Sequence, residues 1–135
     1  MILTQGLCDV CALDYDEVVK ASRRLASQPK IVSLNPHSLA DILEDILRVG
    51  SATGRESAAA TLVQNLRERI DKIGMGEPDY RPRVVCLEWF EPLYVAGHWV
   101  PEMVALAGGF DVMGRKGEPS HKVEWREVVG ANSDV

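Results

Sequence analysis

Apolar positions repeat along this chain in two rhythms, a short unbroken run and a helical stripe, and they alternate. Ile2 and Leu3 open the chain as an apolar run suited to a buried strand. After a segment without period, Asp14 and Glu17 have the spacing of a capping box. They predict a helix that turns Val18, Val19, Ala21, Leu25 and Ala26 inward and ends at Gln28-Pro29, where proline removes a donor. Ile31 and Val32 then mark a second strand over 30–34.

Ser38 has the N-cap chemistry for the next helix, with Asp41 in its first turn. Leu39, Ile42, Leu43, Ile46 and Leu47 follow at the spacing of one helical face. Gly50 to Gly54 interrupts this pattern, and Thr53 with Glu56 predicts a fresh capping box. The following helix carries Leu62, Val63, Leu66, Ile70 and Ile73 on one side. Residues 74–82 hold two Gly and two Pro and read as a linker.

Val84-Val85-Cys86-Leu87 is apolar throughout, as a strand covered on both faces would be. The stretch from Glu88 to Val100 reads as a long loop with two Trp, Phe90, Tyr94 and His98. Pro101 fits the first position of a helix that Gly108-Gly109 ends. A short strand is expected over 110–113, a brief extended piece at Val123, and a helix from Trp125 to Val129. Residues 132–135 look like a turn feeding another strand. The predicted class is α/β: two short parallel βαβ units joined by a long helical segment, neither with the strands of a finished sheet.

Composition narrows the function. At 135 residues, 46% hydrophobic and 26% charged, the chain is of globular type and single-domain size. A net charge of -5 argues against a nucleic-acid partner. No run approaches the roughly 18 apolar residues of a membrane span. The N-terminus shows no basic and apolar leader pattern, and three Cys cannot make a disulfide framework.

In open parallel sheets, ligands bind beyond the carboxyl ends of the strands. There the sequence places Cys8, Asp9 and Cys11 after the first strand, His37 after the second, and Glu88, Trp89, Phe90, His98 and Trp99 after the third. These residues are the candidate ligand-binding set, with the aromatics giving rigid contact area. Each has a plainer reading. Cys8 and Cys11 form a CxxC that fits a redox pair, half a zinc site, or two small side chains shaping a loop. The Trp89–Trp99 segment fits an aromatic wall for a large planar or amphipathic ligand, or a plug between lobes. His98 fits a ligand to a metal or an anionic group, or a hydrogen-bonded loop residue. Glu88, Glu91 and Glu102 fit a carboxylate cluster or solvated acids. Gly108-Gly109 follows a helix and so is no phosphate loop, and Arg115, Lys116, His121 and Lys122 read as a solvated basic patch. No nucleophile, zincin or Walker pattern is present, so no catalytic residue and no enzymatic activity is expected.

Four stretches together resemble a known family: LTQGLCDVCALDYDEV (3–18), PKIVSLNPHSLADILEDILRVGSATGRE (29–56), RPRVVCLEWFEPLYVAGHWVPEMVALAGGFDVMG (81–114) and VEWREVVGANSDV (123–135). They are similar to consecutive segments of the cobalamin-type periplasmic binding proteins, the iron-siderophore and vitamin B12 group of ABC-transporter substrate-binding proteins. GHWVPEMVALAGG and the Thr53-Gly54 pair between the helices are the most specific parts. The resemblance implies two α/β lobes with ligand held between, of which this chain would be an internal fragment. Residues 1–37 would end the N-terminal lobe, 38–73 would be the connecting helices, 74–82 the linker, and 83–135 the start of the C-terminal lobe. It implies a corrinoid or ferric chelate as the transported ligand, no bound cofactor, and a periplasmic or extracytoplasmic location. A free-standing short protein without a leader would instead be cytoplasmic. It further implies a membrane permease as partner, with Glu102 the candidate acid that docks on permease arginines. Unfinished sheets also make a homodimer expected. The alternatives are a self-associating module without ligand and a CxxC thiol or zinc protein.

Overall fold

The structure, a computed structural model, describes residues 1–7, 15–73 and 79–135. Strand β1 (Ile2–Gln5) pairs in parallel with β2 (Ile31–Leu34), with α1 (Tyr15–Ser22) between them. Asp14, the expected cap of α1, lies outside the described residues. The helix ends before Gln28-Pro29. Ser22 turns its hydroxyl back onto the Val19 carbonyl at 2.8 Å, and the chain tightens into successive i→i−3 turns at Arg24, Leu25 and Gln28. Ala21, Leu25 and Ala26, expected inward, are exposed, while Ser22 is buried.

Helix α2 (Leu39–Thr53) starts as the sequence dictates. The Ser38 hydroxyl accepts from the Asp41 amide at 3.1 Å, and the Asp41 carboxylate accepts from the Ser38 and His37 amides at 2.9 and 2.8 Å. It does not break at Gly50. The helix continues to Thr53, whose hydroxyl donates back to the Val49 carbonyl at 2.8 Å instead of capping the next helix. A left-handed Gly54 closes α2, and α3 (Glu56–Ile73) begins after Arg55. Gly50 is buried where the two helices meet. A Cβ there would collide with the Ala59 Cβ and crowd the Arg55 carbonyl at 3.3 Å, so the missing side chain sets the closeness of the pair. Leu43 on α2 and Ala59 and Val63 on α3 are buried, whereas Leu47, Leu62 and Ile73 on the expected faces remain exposed.

The C-terminal unit departs most from expectation. The apolar run at 83–87 is not one covered strand. As β3 (Arg83–Val84) it pairs in parallel with β6 (Phe110–Asp111). From Leu87 it becomes β4 (Leu87–Phe90), antiparallel to β5 (Leu93–Val95), which also pairs with β7 (His121–Lys122). The expected long loop is therefore mostly a β-hairpin, turning through a cis Glu91–Pro92 bond. Leu93, Val95 and Val123 form its core, with Val85, Leu87, Met113 and Val128 packed against them. Helix α4 (Val100–Leu106) takes Pro101 in its first turn, and α5 (Trp125–Gly130) follows β7. The C-terminal residues lie along β3: the Val85 amide donates to the Val135 carbonyl at 3.0 Å and the Asp134 amide to the Arg83 carbonyl at 2.7 Å.

Candidate functional site

Two turns from distant parts of the sequence meet beside the N-terminus of α2. One is the β2–α2 turn at 35–38. The other is the β5–α4 turn at 96–99. Their imidazoles face each other, with the His37 and His98 ring centroids 5.3 Å apart. The Trp99 ring adds a third face 5.9 Å from His98.

The loop at 114–120 holds this arrangement from below. The His98 amide donates to the Glu118 carbonyl at 2.6 Å, and the Gly117 amide donates to the His98 carbonyl at 2.8 Å. Gly97 lies so close to residues 118–120 that a Cβ would overlap their backbone. His37 reaches the same loop through Nδ1, 3.2 Å from the Gly117 carbonyl. A carbonyl only accepts, so His37 Nδ1 carries the proton in this contact. His98 is 9% exposed, and its Nδ1 is buried without a hydrogen-bond partner. Burial, then the neighbouring His37, hold the His98 imidazole below its ordinary pKa, against an upward pull from Glu88. The same surroundings disfavour a proton on the buried Nδ1 of His98.

Glu102 braces the junction. One carboxylate oxygen accepts the Leu39 amide at 2.9 Å, at the positive end of α2, and the other meets Lys116 Nζ at 3.2 Å. The proposed docking acid thus joins α4, α2 and the 114–120 loop within the chain.

Of the expected ligand-binding residues, the structure brings His37, His98 and Trp99 together, with Glu88 in electrostatic reach of His98. Glu88 also accepts a short hydrogen bond from the Ser120 hydroxyl. Trp89 and Phe90 stand on β4 with 57% and 69% of their surfaces exposed, and the Trp89 indole N–H donates to the Glu91 carbonyl at 2.9 Å. Cys8, Asp9 and Cys11 lie outside the described residues. The Gly6 amide donates to the Asn35 side chain at 2.6 Å. Among the described residues no group of three or more His, Cys, Asp or Glu could hold a metal ion. A shallow polar depression of about 390 Å³ adjoins the rim, lined by Asn35, Asp41, Glu44, Asp45 and Arg48.

Sequence reasoning missed the roles of Gly97, Gly117 and Asn35. Gly97 and Gly117 stand next to no helix boundary that would draw attention to them, and Asn35 reads simply as a turn residue.

Comparison with known proteins places the architecture. No family model matches the chain, and no curated protein matches it. Solved structures do. The periplasmic heme-binding protein RhuT from Roseiflexus sp. RS-1 matches 98% of this chain at 20% identity with a TM-score of 0.72. The periplasmic vitamin B12 binding protein BtuF of Vibrio cholerae matches 99% at 18% identity and 0.67. An ABC transporter substrate-binding protein from Listeria monocytogenes matches 89% at 21% identity and 0.68. The chain spans 51%, 51% and 48% of their respective lengths. It therefore has the fold of these substrate-binding proteins over about half their extent.

Proposed function

We propose that this chain is a solute-binding component of an ABC importer, or a part of one, that holds a corrinoid or ferric chelate in a cleft between lobes without transforming it. The observation that carries the proposal is the meeting of His37, His98 and Trp99 at one rim, on a fold shared with half of a substrate-binding protein. Residues 1–37 and 83–135 would then be parts of two lobes, with 38–73 as the connecting helices and 74–82 as the linker. Trp89 and Phe90 would add flat aromatic area. Aromatic contacts suit a large planar guest, each pair adding roughly 0.5–1.5 kcal/mol beyond area alone. No described helix is long and apolar enough to cross a membrane. By its likeness to periplasmic binding proteins the binding component would be extracytoplasmic, with a permease carrying the solute across. Glu102 could dock on that permease only by releasing Leu39 or Lys116, which makes bracing its better-supported role.

Titration with cobalamin, ferric siderophores and haem, followed by tryptophan fluorescence, tests the proposal. Saturable quenching by one of them, weakened in Trp99→Phe, is expected. No response to any of the three overturns it.

A second reading rests on a different observation. Met1, Leu3, Leu62 and Ile73 expose large apolar side chains, and β1–β2 is a two-stranded sheet. Both features favour association with a second copy. Light scattering at micromolar concentration should then report a dimer; a monomer removes this reading.

A further inference from the structure

The His37–His98 contact joins two turns that nothing in the chain connects locally. One belongs to the β2–α2 junction and the other to the β5–α4 junction. We propose that His98, packed against His37, is a proton-sensitive latch that holds the 97–98 turn closed on the 114–120 loop and against the start of α2 at neutral pH and lets the turn part from both in acid.

The geometry supplies the reason. His98 Nδ1 is buried and meets no acceptor. As the bare nitrogen of a neutral ring it is tolerable there. Once protonated it becomes a charged donor with nothing to receive it, which is the costlier form of an unsatisfied group. The opposing ring makes this worse, because His37 already points a donor at the Gly117 carbonyl and a positive His98 ring would sit beside it. Opening the turn lets water reach Nδ1.

The charged groups around the pair do not cancel this. From β4, Glu88 favours a positive His98, but its carboxylate is shared with the Ser120 hydroxyl. From α2, Asp41 lies near His37 and is engaged with the His37 and Ser38 amides. From α4, Glu102 is bound to Leu39 and Lys116. On the loop, Arg115 and Glu118 pair with each other at 3.3 Å. His121 on β7 has its own buried, unpartnered Nδ1. Burial and His37 outweigh Glu88, so His98 is harder to protonate in the closed form.

The direction of the pH effect follows. An opened turn restores an ordinary imidazole, with a pKa near 6.5, so the open form binds the proton more readily. Below about pH 6.5 the open-to-closed ratio rises by at most about tenfold per pH unit for one histidine, until His98 protonates in the closed form as well.

Hydrogen exchange on the full chain tests the latch at the His98 and Gly117 amides, the donors of the two clamping bonds. Corrected for intrinsic exchange, their protection should fall severalfold between pH 6.5 and 5.5. In His98→Asn it should not change with pH, since Asn accepts the positive φ of 53° at this position and does not titrate. Equal protection at both pH values in the native sequence, or the same fall in His98→Asn, overturns the proposal. Should His98→Asn fail to fold, NMR titration of the native chain decides. The Gly117 amide shift should follow the His98 ring with one midpoint, and that midpoint should rise in His37→Gln. A Gly117 amide indifferent to the His98 titration overturns the latch.

Discussion

Replacing Gly50 with alanine sets two effects of known sign against each other. In an exposed helix the change stabilises by roughly 0.5–1 kcal/mol, because glycine loses more backbone freedom on folding. Here the new methyl would meet the Ala59 Cβ well inside the ~3.5–4.0 Å of a normal carbon–carbon contact. Neither group can step aside. Each methyl is fixed to its backbone, so relief requires α2 and α3 to separate, and overpacking of this kind costs typically about 1–3 kcal/mol. Steric cost therefore exceeds propensity, and Gly50→Ala should destabilise by about 1–2 kcal/mol. For a chain of this size that is a fall of roughly 3–10 °C in Tm. Urea denaturation monitored by circular dichroism measures it, and the second-site change Ala59→Gly should recover part of the loss by removing the opposing methyl. A higher Tm in Gly50→Ala would refute the close crossing of α2 and α3.

Two further perturbations address the junction around the site. Glu102→Gln keeps an acceptor for the Leu39 amide but removes the charge that faces the α2 N-terminus and Lys116. A loss of about 0.5–1 kcal/mol is expected in urea titrations at low salt, shrinking at high salt. Asp41 is held below the ordinary carboxylate range, chiefly by the His37 amide and then by the Ser38 hydroxyl. Its contribution to α2 is thus present above the unfolded value, near pH 4, and is lost as pH falls through the lower folded value. The Ser38 amide shift should track that loss by NMR, and a midpoint at or above the ordinary value would contradict the capping geometry.

The N-terminal half of the fold was largely legible because its signals are local. Ser38 and Asp41 stand three residues apart, and the β1 and β2 runs flank a single helix. The hairpin was not. Leu87, Trp89, Leu93 and Val95 carry a strand rhythm around Glu91-Pro92, but a register shift between Leu87 and Trp89 breaks its period of two. A stretch rich in aromatic residues then reads as a loop. The continuity of α2 through Gly50 was hidden for a related reason: only the presence of Ala59 opposite makes glycine useful there. Of the candidate site, the sequence named His37, His98 and Trp99 but could not say that they touch. Their meeting depends on the 114–120 loop, which supplies backbone carbonyls and amides, groups that every residue possesses.

The segment from Arg83 to Phe90 belongs to two sheets in turn, parallel to β6 at its start and antiparallel to β5 at its end. Between them the Val85 amide and the Cys86 carbonyl are also engaged, with Val135 and Ala96. The register shift between Leu87 and Trp89 lies beyond these bonds, on the hairpin side. A tilt of the aromatic hairpin that reaches past that shift would load the bonds on Val85 and Cys86, so a guest pressing on Trp89 would pull on the parallel sheet through the same strand.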